Sequence, residues 1–249
     1  MSRGQTRKSN ARKTSNRRSY NPEEHPAYLR SLEKAYEKVD NFEPLNSKQE
    51  LYFELLELNQ IIVATGEAGT GKTLCPVVHA LDMLKNKEIE TIYITKPTVE
   101  VGKSLGFLPG KIGDKFAPYM DSILEHVEYL VGKVEKHRLL AEGKIKCIPL
   151  EFMRGSNLDN CAIIADEMQN ATLHQTRTLL TRLKENTKLI ITGDLAQCDL
   201  EDTSTSGLAT AVKVLGDVNS VGFINFDVED IVRSGIVKEI TFAFKKHGY

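Results

Sequence analysis

The stretch that most constrains this chain is residues 61–73, an apolar run that ends in a glycine-rich loop, IIVATGEAGTGKT. Ile61 to Thr65 is uncharged and mostly β-branched, which predicts a buried strand. The loop after it has the spacing G-x-x-x-x-G-K-T, whose glycines permit backbone conformations that other residues resist. Such a loop surrounds phosphate groups with backbone N–H groups at a helix N-terminus. We therefore predict a nucleotide phosphate site, against the alternative of a chance glycine-rich turn.

The end of this loop carries the reactive side chains. The Lys72 ammonium is expected at the β- and γ-phosphate oxygens, and the Thr73 hydroxyl is expected to bind Mg²⁺. The whole loop is predicted to bind the nucleotide, through Gly66, Glu67, Ala68, Gly69, Thr70, Gly71, Lys72 and Thr73.

Length and composition indicate an ordinary globular protein. The chain has 249 residues, of which 41% are hydrophobic and 27% charged, and this length suits one α/β core with appendages. No apolar run approaches the ~20 residues of a membrane helix, so we expect no membrane span. The four cysteines are scattered without a C-x-x-C pair, which indicates reduced thiols in a cytoplasmic protein.

The N-terminal segment differs from the rest of the chain. Residues 1–19 contain seven basic residues, no acidic residue and many Ser, Asn and Thr: Arg3, Arg7, Lys8, Arg12, Lys13, Arg17 and Arg18. A segment of this kind cannot bury enough apolar surface to fold. We predict a disordered basic tail over residues 1–21 that contacts nucleic acid, or else only adds solubility, followed by a single domain over residues 22–249.

The rest of the chain alternates helical and strand patterns. A second strand, Thr91 to Thr95, completes a strand–helix–strand unit, for which a right-handed crossover and a parallel sheet are the rule. The fold class predicted is therefore α/β, with a mostly parallel central sheet flanked by helices. Capping boxes at Ser47 and Thr172 each predict the start of a helix. Further helices are predicted at residues 27–39, 77–84, 116–131 and 206–215. Further strands are predicted at residues 144–148, 161–165, 189–192, 221–226 and, at the sheet edge, 239–244, with a loop over 98–115.

The strand predicted at residues 161–165 ends in two carboxylates, Asp166 and Glu167. A strand beside the phosphate-loop strand would deliver Asp166 to Mg²⁺, and Glu167 could act as the general base on the attacking water. An apolar strand followed by Asp-Glu is common by chance. Its presence with a complete phosphate loop favours the catalytic interpretation.

Two glutamines are weaker candidates. Gln197 follows the strand predicted at residues 189–192, where parallel sheets bind ligands, so it could sense the γ-phosphate or belong to an ordinary turn. Gln49 lies in the first turn of a helix, where its amide could offer a donor and an acceptor to adenine or simply be solvated.

Together these motifs resemble the PhoH family of phosphate-starvation-inducible ATPases. The resemblance covers residues 45–240 and rests on Gln49 and on GEAGTGKT at 66–73, ITKPTVEVGKSLGFLPGKIGDKFAPY at 94–119, FMRGSNLDNCAIIADEMQNAT at 152–172, LLTRLKENTKLIITGDLAQCDL at 179–200 and FDVEDIVRSGIV at 226–237. Such proteins are similar to the first RecA-like domain of superfamily 1 helicases. The chain has Asp-Glu-Met-Gln at 166–169 where the family usually has Asp-Glu-Ala-Gln, and the basic tail lies outside the resemblance.

The resemblance implies ATP as the nucleotide, ATP hydrolysis, association with RNA and a ring-shaped homo-oligomer, with a hexamer as the implied number. It also implies that Gln49 reads adenine, that Gln169 accompanies the carboxylate pair and that Gln197 senses the γ-phosphate. Two other functions stay open at this point. One is a P-loop kinase, and the other is a nucleic-acid-binding scaffold that nucleotide only controls.

A helicase-like site also needs arginine charge at the γ-phosphate. Only about fifty residues follow the motif near Gln197, too few for a second core of this kind, so we expect the arginine to come from a neighbouring subunit. Arg233 in the C-terminal motif is the first candidate, with Arg177 and Arg182 as reserves. Ordinary surface ion pairing is the alternative for each.

Overall fold

The computed structural model describes residues 26–98, 112–155, 158–200, 202–233 and 235–247. The chain divides into two units, residues 1–34 and 35–249. The first unit is described only from Pro26, where helix α1 (Pro26–Asp40) begins. The predicted tail lies outside the described residues, and its boundary with the domain stays a prediction.

Helices and strands alternate along the described chain. The helices after α1 are α2 (Ser47–Leu58), α3 (Leu74–Lys85), α4 (Ile112–Ala141), α5 (Leu173–Leu180), α6 (Gly207–Leu215) and α7 (Gly235–Lys246). The strands are β1 (Ile61–Gly66), β2 (Thr91–Thr95), β3 (Ile145–Cys147), β4 (Cys161–Ala165), β5 (Thr187–Gly193) and β6 (Val221–Phe226). Short 3₁₀ helices span Leu150–Gly155, Met168–Asn170, Thr203–Thr205 and Val228–Asp230.

The six strands form one sheet in the order β3-β2-β4-β5-β1-β6, and every pair is parallel. The central strand β4 is buried along its whole length, as expected for a parallel sheet covered on both faces. The predicted α/β fold class is confirmed. Because all strands run the same way, their carboxyl ends share one edge, which is where such sheets bind ligands.

The two helix starts predicted from capping boxes have different outcomes. Thr172 caps α5 as predicted, since its hydroxyl accepts from the Gln175 N–H and the Gln175 side chain bonds back to the cap. The box predicted at Ser47 is wrong by one residue. Asn46 is extended and its side chain accepts from the Gln49 N–H at 2.9 Å, so the amide takes the capping role and Ser47 is already helical.

The edge strand predicted at residues 239–244 is wrong, because this segment lies within helix α7. Ile236, Ile240 and Phe244 recur every four residues, which is the spacing of one helix face. None of the helix is buried. The strand prediction rested on β-branched and aromatic residues, whose strand preference depends on context.

Helix α4 is longer than predicted. It begins at Ile112, so it takes in the end of the predicted loop, while residues 99–111 lie outside the described chain. The helix is interrupted at Gly132, whose φ of 80° and ψ of 163° are not helical. Among the described residues, no helix is long and apolar enough to cross a membrane.

Candidate nucleotide-binding and catalytic site

The phosphate loop connects β1 to α3 and depends on its glycines. Gly66, Gly69 and Gly71 all have positive φ, at 114°, 80° and 94°. A Cβ at Gly66 would lie 1.9 Å from the Phe226 carbonyl oxygen at the end of β6. Only glycine allows both the left-handed backbone and this close approach of the neighbouring strand.

Lys72 lies inside the curve of this loop. Its side chain is 8% exposed, and Nζ donates to the Glu67 carbonyl oxygen. Burial lowers the pKa of Lys72, while the carboxylates of Asp194, Asp166 and Glu167 oppose that shift. The predicted phosphate lysine therefore sits in a partly desolvated site that faces carboxylates on two neighbouring strand ends.

Helix α2 holds the phosphate loop in place through Gln49. This residue is 1% exposed, its Nε2 donates to the Thr70 carbonyl oxygen at 2.9 Å and its Oε1 accepts from the Leu45 N–H at 2.9 Å. Tyr52 on the same helix donates from its hydroxyl to the Lys72 carbonyl oxygen at 3.3 Å. In this structure Gln49 holds the loop, and its predicted reading of adenine stays a prediction.

Thr73 and Asp166 lie together, as the Mg²⁺ prediction requires. The Thr73 hydroxyl donates to Asp166 Oδ1 at 3.2 Å, and the Thr192 hydroxyl on β5 donates to the same oxygen. Among the described residues, no group of three or more His, Cys, Asp or Glu side chains can hold a metal ion. One hydroxyl and one carboxylate fit Mg²⁺, which binds through few protein oxygens and uses water and nucleotide phosphates for the rest.

Lys96 is a cation of this site that the sequence did not single out. Its Nζ lies 3.2 Å from Asp166 Oδ2 and donates to the Ser122 hydroxyl at 3.2 Å. Lys96 follows β2, which pairs with β4 in the sheet. Its position one residue beyond a strand was visible in the sequence, but only the strand order shows that β2 ends beside Asp166.

Glu167 has a left-handed backbone, with φ 55° and ψ 35°, which is uncommon for a residue other than glycine and is typical of functional sites. Its Oε2 accepts from Gln169 Nε2 at 2.7 Å. Gln169 is 1% exposed, and its Oε1 accepts from the Asp194 N–H at 3.1 Å. Gln169 therefore fixes the Glu167 carboxylate relative to the end of β5.

Gln197 also lies at the end of β5. It is exposed, its Nε2 donates to Asp194 Oδ2 at 2.9 Å, and its backbone oxygen accepts from Gln169 Nε2 at 3.3 Å. The predicted base and the predicted γ-phosphate sensor are thus connected through one buried amide.

Arg233 lies against the phosphate loop of its own chain. A Cβ at Gly69 would lie 2.7 Å from Arg233 Cδ, and the Val232 N–H donates to the Gly69 carbonyl oxygen at 3.0 Å. From the sequence we expected this arginine to act in a neighbouring subunit's site. The reserves Arg177 and Arg182 do not line the cleft at this loop.

These residues surround a cleft of about 350 Å³. Its wall includes Ser122 and His126 from α4, which the sequence assigned only to an amphipathic helix. Burial lowers the pKa of His126, and the carboxylates of Asp166 and Glu125 oppose the shift. The four-residue spacing of Ser122 and His126 places them on one helix face, but nothing local relates that face to the phosphate loop.

Comparison with known proteins agrees with the motifs. The model of the PhoH-like protein family matches residues 41–245. The PhoH-like protein of Bacillus subtilis (strain 168) is 40% identical over 198 residues, which cover 80% of this chain and 62% of that protein. Protein PhoH of Escherichia coli (strain K12) is 38% identical over 201 residues, which cover 80% of this chain and 57% of that protein. The chain thus spans about three fifths of the length of these relatives.

Among solved structures, the large terminase of a thermophilic bacteriophage superposes with a TM-score of 0.51 and 12% identity, over 80% of this chain and 50% of that one. This likeness concerns the fold, which is that of P-loop NTPases. The family-model match and the identities above establish that the chain belongs to the PhoH family.

Proposed function

We propose that this protein binds ATP with Mg²⁺ and hydrolyses the ATP to ADP and phosphate, and that hydrolysis is coupled to the binding of RNA or another nucleic acid. One observation carries the proposal. The phosphate loop, a carboxylate pair and the glutamine network at the end of β5 converge on a single cleft.

Binding is assigned to the loop and its neighbours. The loop N–H groups and Lys72 would hold the phosphates, while Thr73 and Asp166 would hold Mg²⁺, which neutralises phosphate charge when bound. Lys96 fixes the second Asp166 oxygen at 3.2 Å, so the carboxylate presents Oδ1 toward Thr73.

Proton transfer is assigned to Glu167. The attacking water loses a proton to this carboxylate as its oxygen attacks the γ-phosphorus, and the bond from that phosphorus to the bridging oxygen breaks to release ADP. Gln169 holds Oε2 at 2.7 Å, which leaves Oε1 to receive the proton. Gln197 is assigned to the γ-phosphate because Gln169 Nε2 donates both to its backbone oxygen and to the Glu167 carboxylate.

Arg233 is assigned to the negative charge that develops on the transferred phosphoryl group, because it lies beside Gly69 of the same chain. An arginine in this role contributes ~10³ to 10⁵ in rate. A ring oligomer, with a hexamer as the number, is proposed from the family resemblance alone.

Coupling to nucleic acid is proposed from the seven basic residues of segment 1–19. Each phosphate contact that a cationic segment makes adds ~0.7 to 0.9 to the magnitude of the slope of log affinity against log salt concentration. Deleting residues 1–19 is therefore expected to weaken RNA binding and to lower the slope of log affinity against log salt. An unchanged slope would assign the segment to solubility alone.

The proposal is tested by phosphate release from ATP, with and without single- and double-stranded RNA and DNA. Lys72→Ala is expected to abolish turnover, and Glu167→Gln is expected to abolish it while ATP binding is retained, because only the proton acceptor is removed. Glu185→Gln, an exposed carboxylate before β5, is the matched control and should behave as wild type.

Three results would contradict the proposal. Turnover of the Glu167→Gln variant within a few-fold of wild type would show that this carboxylate is not the base. Transfer of the γ-phosphate to an added acceptor in place of water would indicate a kinase, and ATP binding without turnover under all conditions would indicate a nucleotide-controlled scaffold.

A further inference from the structure

A second cavity, of about 610 Å³, adjoins the phosphate cleft and shares Leu74 and Val232 with it. Leu74 is the first residue of α3, directly after the phosphate-loop threonine. A nucleotide whose phosphates lie in the loop would therefore pass this shared wall on its way into the second cavity. The wall includes the end of α1 and Tyr129 of α4.

Tyr129 continues the row of α4 residues that faces the cleft. Ser122, His126 and Tyr129 are spaced four and then three residues apart, which places them on one face of the helix. The first two line the phosphate cleft and Tyr129 lines the adjoining cavity. One helix face thus borders both compartments in succession.

The tyrosine ring is held in place and still accessible. Lys38 Nζ lies 4.0 Å from the ring centroid and donates to the Tyr129 carbonyl oxygen at 2.9 Å. The ammonium covers one ring face, yet Tyr129 is 60% exposed, so the ring keeps a large accessible surface. An exposed aromatic ring fixed beside a phosphate site has the chemistry needed to stack on a planar base.

Gln49 is less suited to be the first contact with a base. It lines the same cavity, but it is 1% exposed and both ends of its amide already bond to the backbone at Thr70 and Leu45. The accessible side chains of the cavity include Leu45, Val232 and Tyr129, and of these three only Tyr129 has an aromatic ring.

We propose that Tyr129, positioned by Lys38, is the residue on which the nucleobase of the bound nucleoside triphosphate stacks, and that the adjoining cavity is the base subsite. This assignment rests on the proposed function, since the triphosphate must lie in the loop. Lys38 precedes the residues that the family model matches, 41–245, and Tyr129 lies outside the motif segments.

The test uses the 249-residue chain, which contains no tryptophan. Tyr129→Trp introduces a single tryptophan into the cavity, and ATP is expected to quench its emission. Inorganic tripolyphosphate, which has the phosphates but no base, is expected to bind without quenching. Tyr119→Trp is the matched control, because Tyr119 is an exposed residue of the same helix that lines neither cavity.

Affinity is measured by calorimetry. Tyr129→Ala is expected to weaken ATP binding about 5- to 150-fold, the effect of losing one base–aromatic stack, and to leave tripolyphosphate affinity unchanged. Tyr129→Phe keeps the ring and should bind ATP as wild type does. Circular dichroism of each variant confirms that the fold is retained.

The outcomes separate this inference from the proposed function. If the wild-type protein binds neither ATP nor tripolyphosphate, the proposed function fails and the subsite with it. If the wild type binds ATP and Tyr129→Ala binds ATP equally well, only the stacking assignment is overturned. Equal loss of ATP and tripolyphosphate, or quenching of the tryptophan by single-stranded RNA but not by ATP, would also overturn it.

Discussion

Acidification is expected to destabilise this protein through His79, which lies on α3 directly after the phosphate loop. His79 is 5% exposed, and its Nε2 has no hydrogen-bond partner among the described residues. Burial, and to a smaller extent the Lys188 ammonium, lowers the pKa of His79 to about 4. Glu57 Oε1 lies 3.3 Å from Nδ1 but its side chain is 70% exposed, so solvent screens its opposing effect.

The sign and size of this effect on the free energy of unfolding follow from the linkage between proton binding and folding. The pKa of His79 is 6.5 in the unfolded chain and about 4 when folded, so the unfolded state binds more protons between these values. The free energy of unfolding therefore falls as pH drops through this window and is unaffected by His79 well above it. The loss is about 2 kcal/mol at pH 5 and about 3 kcal/mol once pH is below the folded pKa.

Urea unfolding at pH 7 and at pH 5 measures this loss. The wild type is expected to lose about 2 kcal/mol more between the two pH values than His79→Leu, which cannot titrate. His137→Leu, which removes an exposed histidine of α4, should match the wild type. An NMR titration of the wild-type protein gives the His79 pKa directly. Equal pH dependence in wild type and His79→Leu, or a titration midpoint near that of a solvated histidine, would refute the reasoning.

The remaining predictions concern the cleft. Gln169→Ala is expected to lower kcat for phosphate release about 10- to 100-fold with little change in KM, because the Glu167 carboxylate loses a charged hydrogen bond of ~1.5–3 kcal/mol. Steady-state kinetics measure both constants, and an unchanged kcat would contradict this prediction. Gly66→Ala is expected to lower the melting temperature and remove nucleotide binding, since the added Cβ would lie 1.9 Å from a β6 carbonyl oxygen. A stable, ATP-binding Gly66→Ala protein would disprove that contact. Mixing Arg233→Ala with Lys72→Ala subunits is expected to restore no phosphate release, because Arg233 lies in its own chain's cleft; recovery in mixed oligomers would assign it to a neighbour.

Local spacing in the sequence was enough for much of the fold and part of the site. The phosphate loop and the carboxylates after β4 were found because each motif is short and lies at the end of an apolar strand. The alternation of strand and helix predicted a parallel sheet, which is confirmed. The two motifs depend on residues that are close together in the chain, and the parallel sheet follows from the order of consecutive elements. Long-range packing was not needed for either prediction.

Other features depend on which elements become neighbours. Lys96 joins Asp166 because β2 pairs with β4, and His126 reaches the cleft because α4 packs beside that edge of the sheet. Only the tertiary structure shows that Gln49 is buried against the phosphate loop and that Arg233 contacts the phosphate loop of its own chain.

The sequence by itself therefore determined the parallel α/β class, the phosphate loop and the positions of Asp166 and Glu167 at a strand end. The tertiary structure decided the strand order, the cations around Asp166, the amide network of Gln169 and the tyrosine beside the cleft. The physical reason is that hydrophobic periodicity records which face of an element is buried. It does not record which other element covers that face, and long-range packing alone supplies that information.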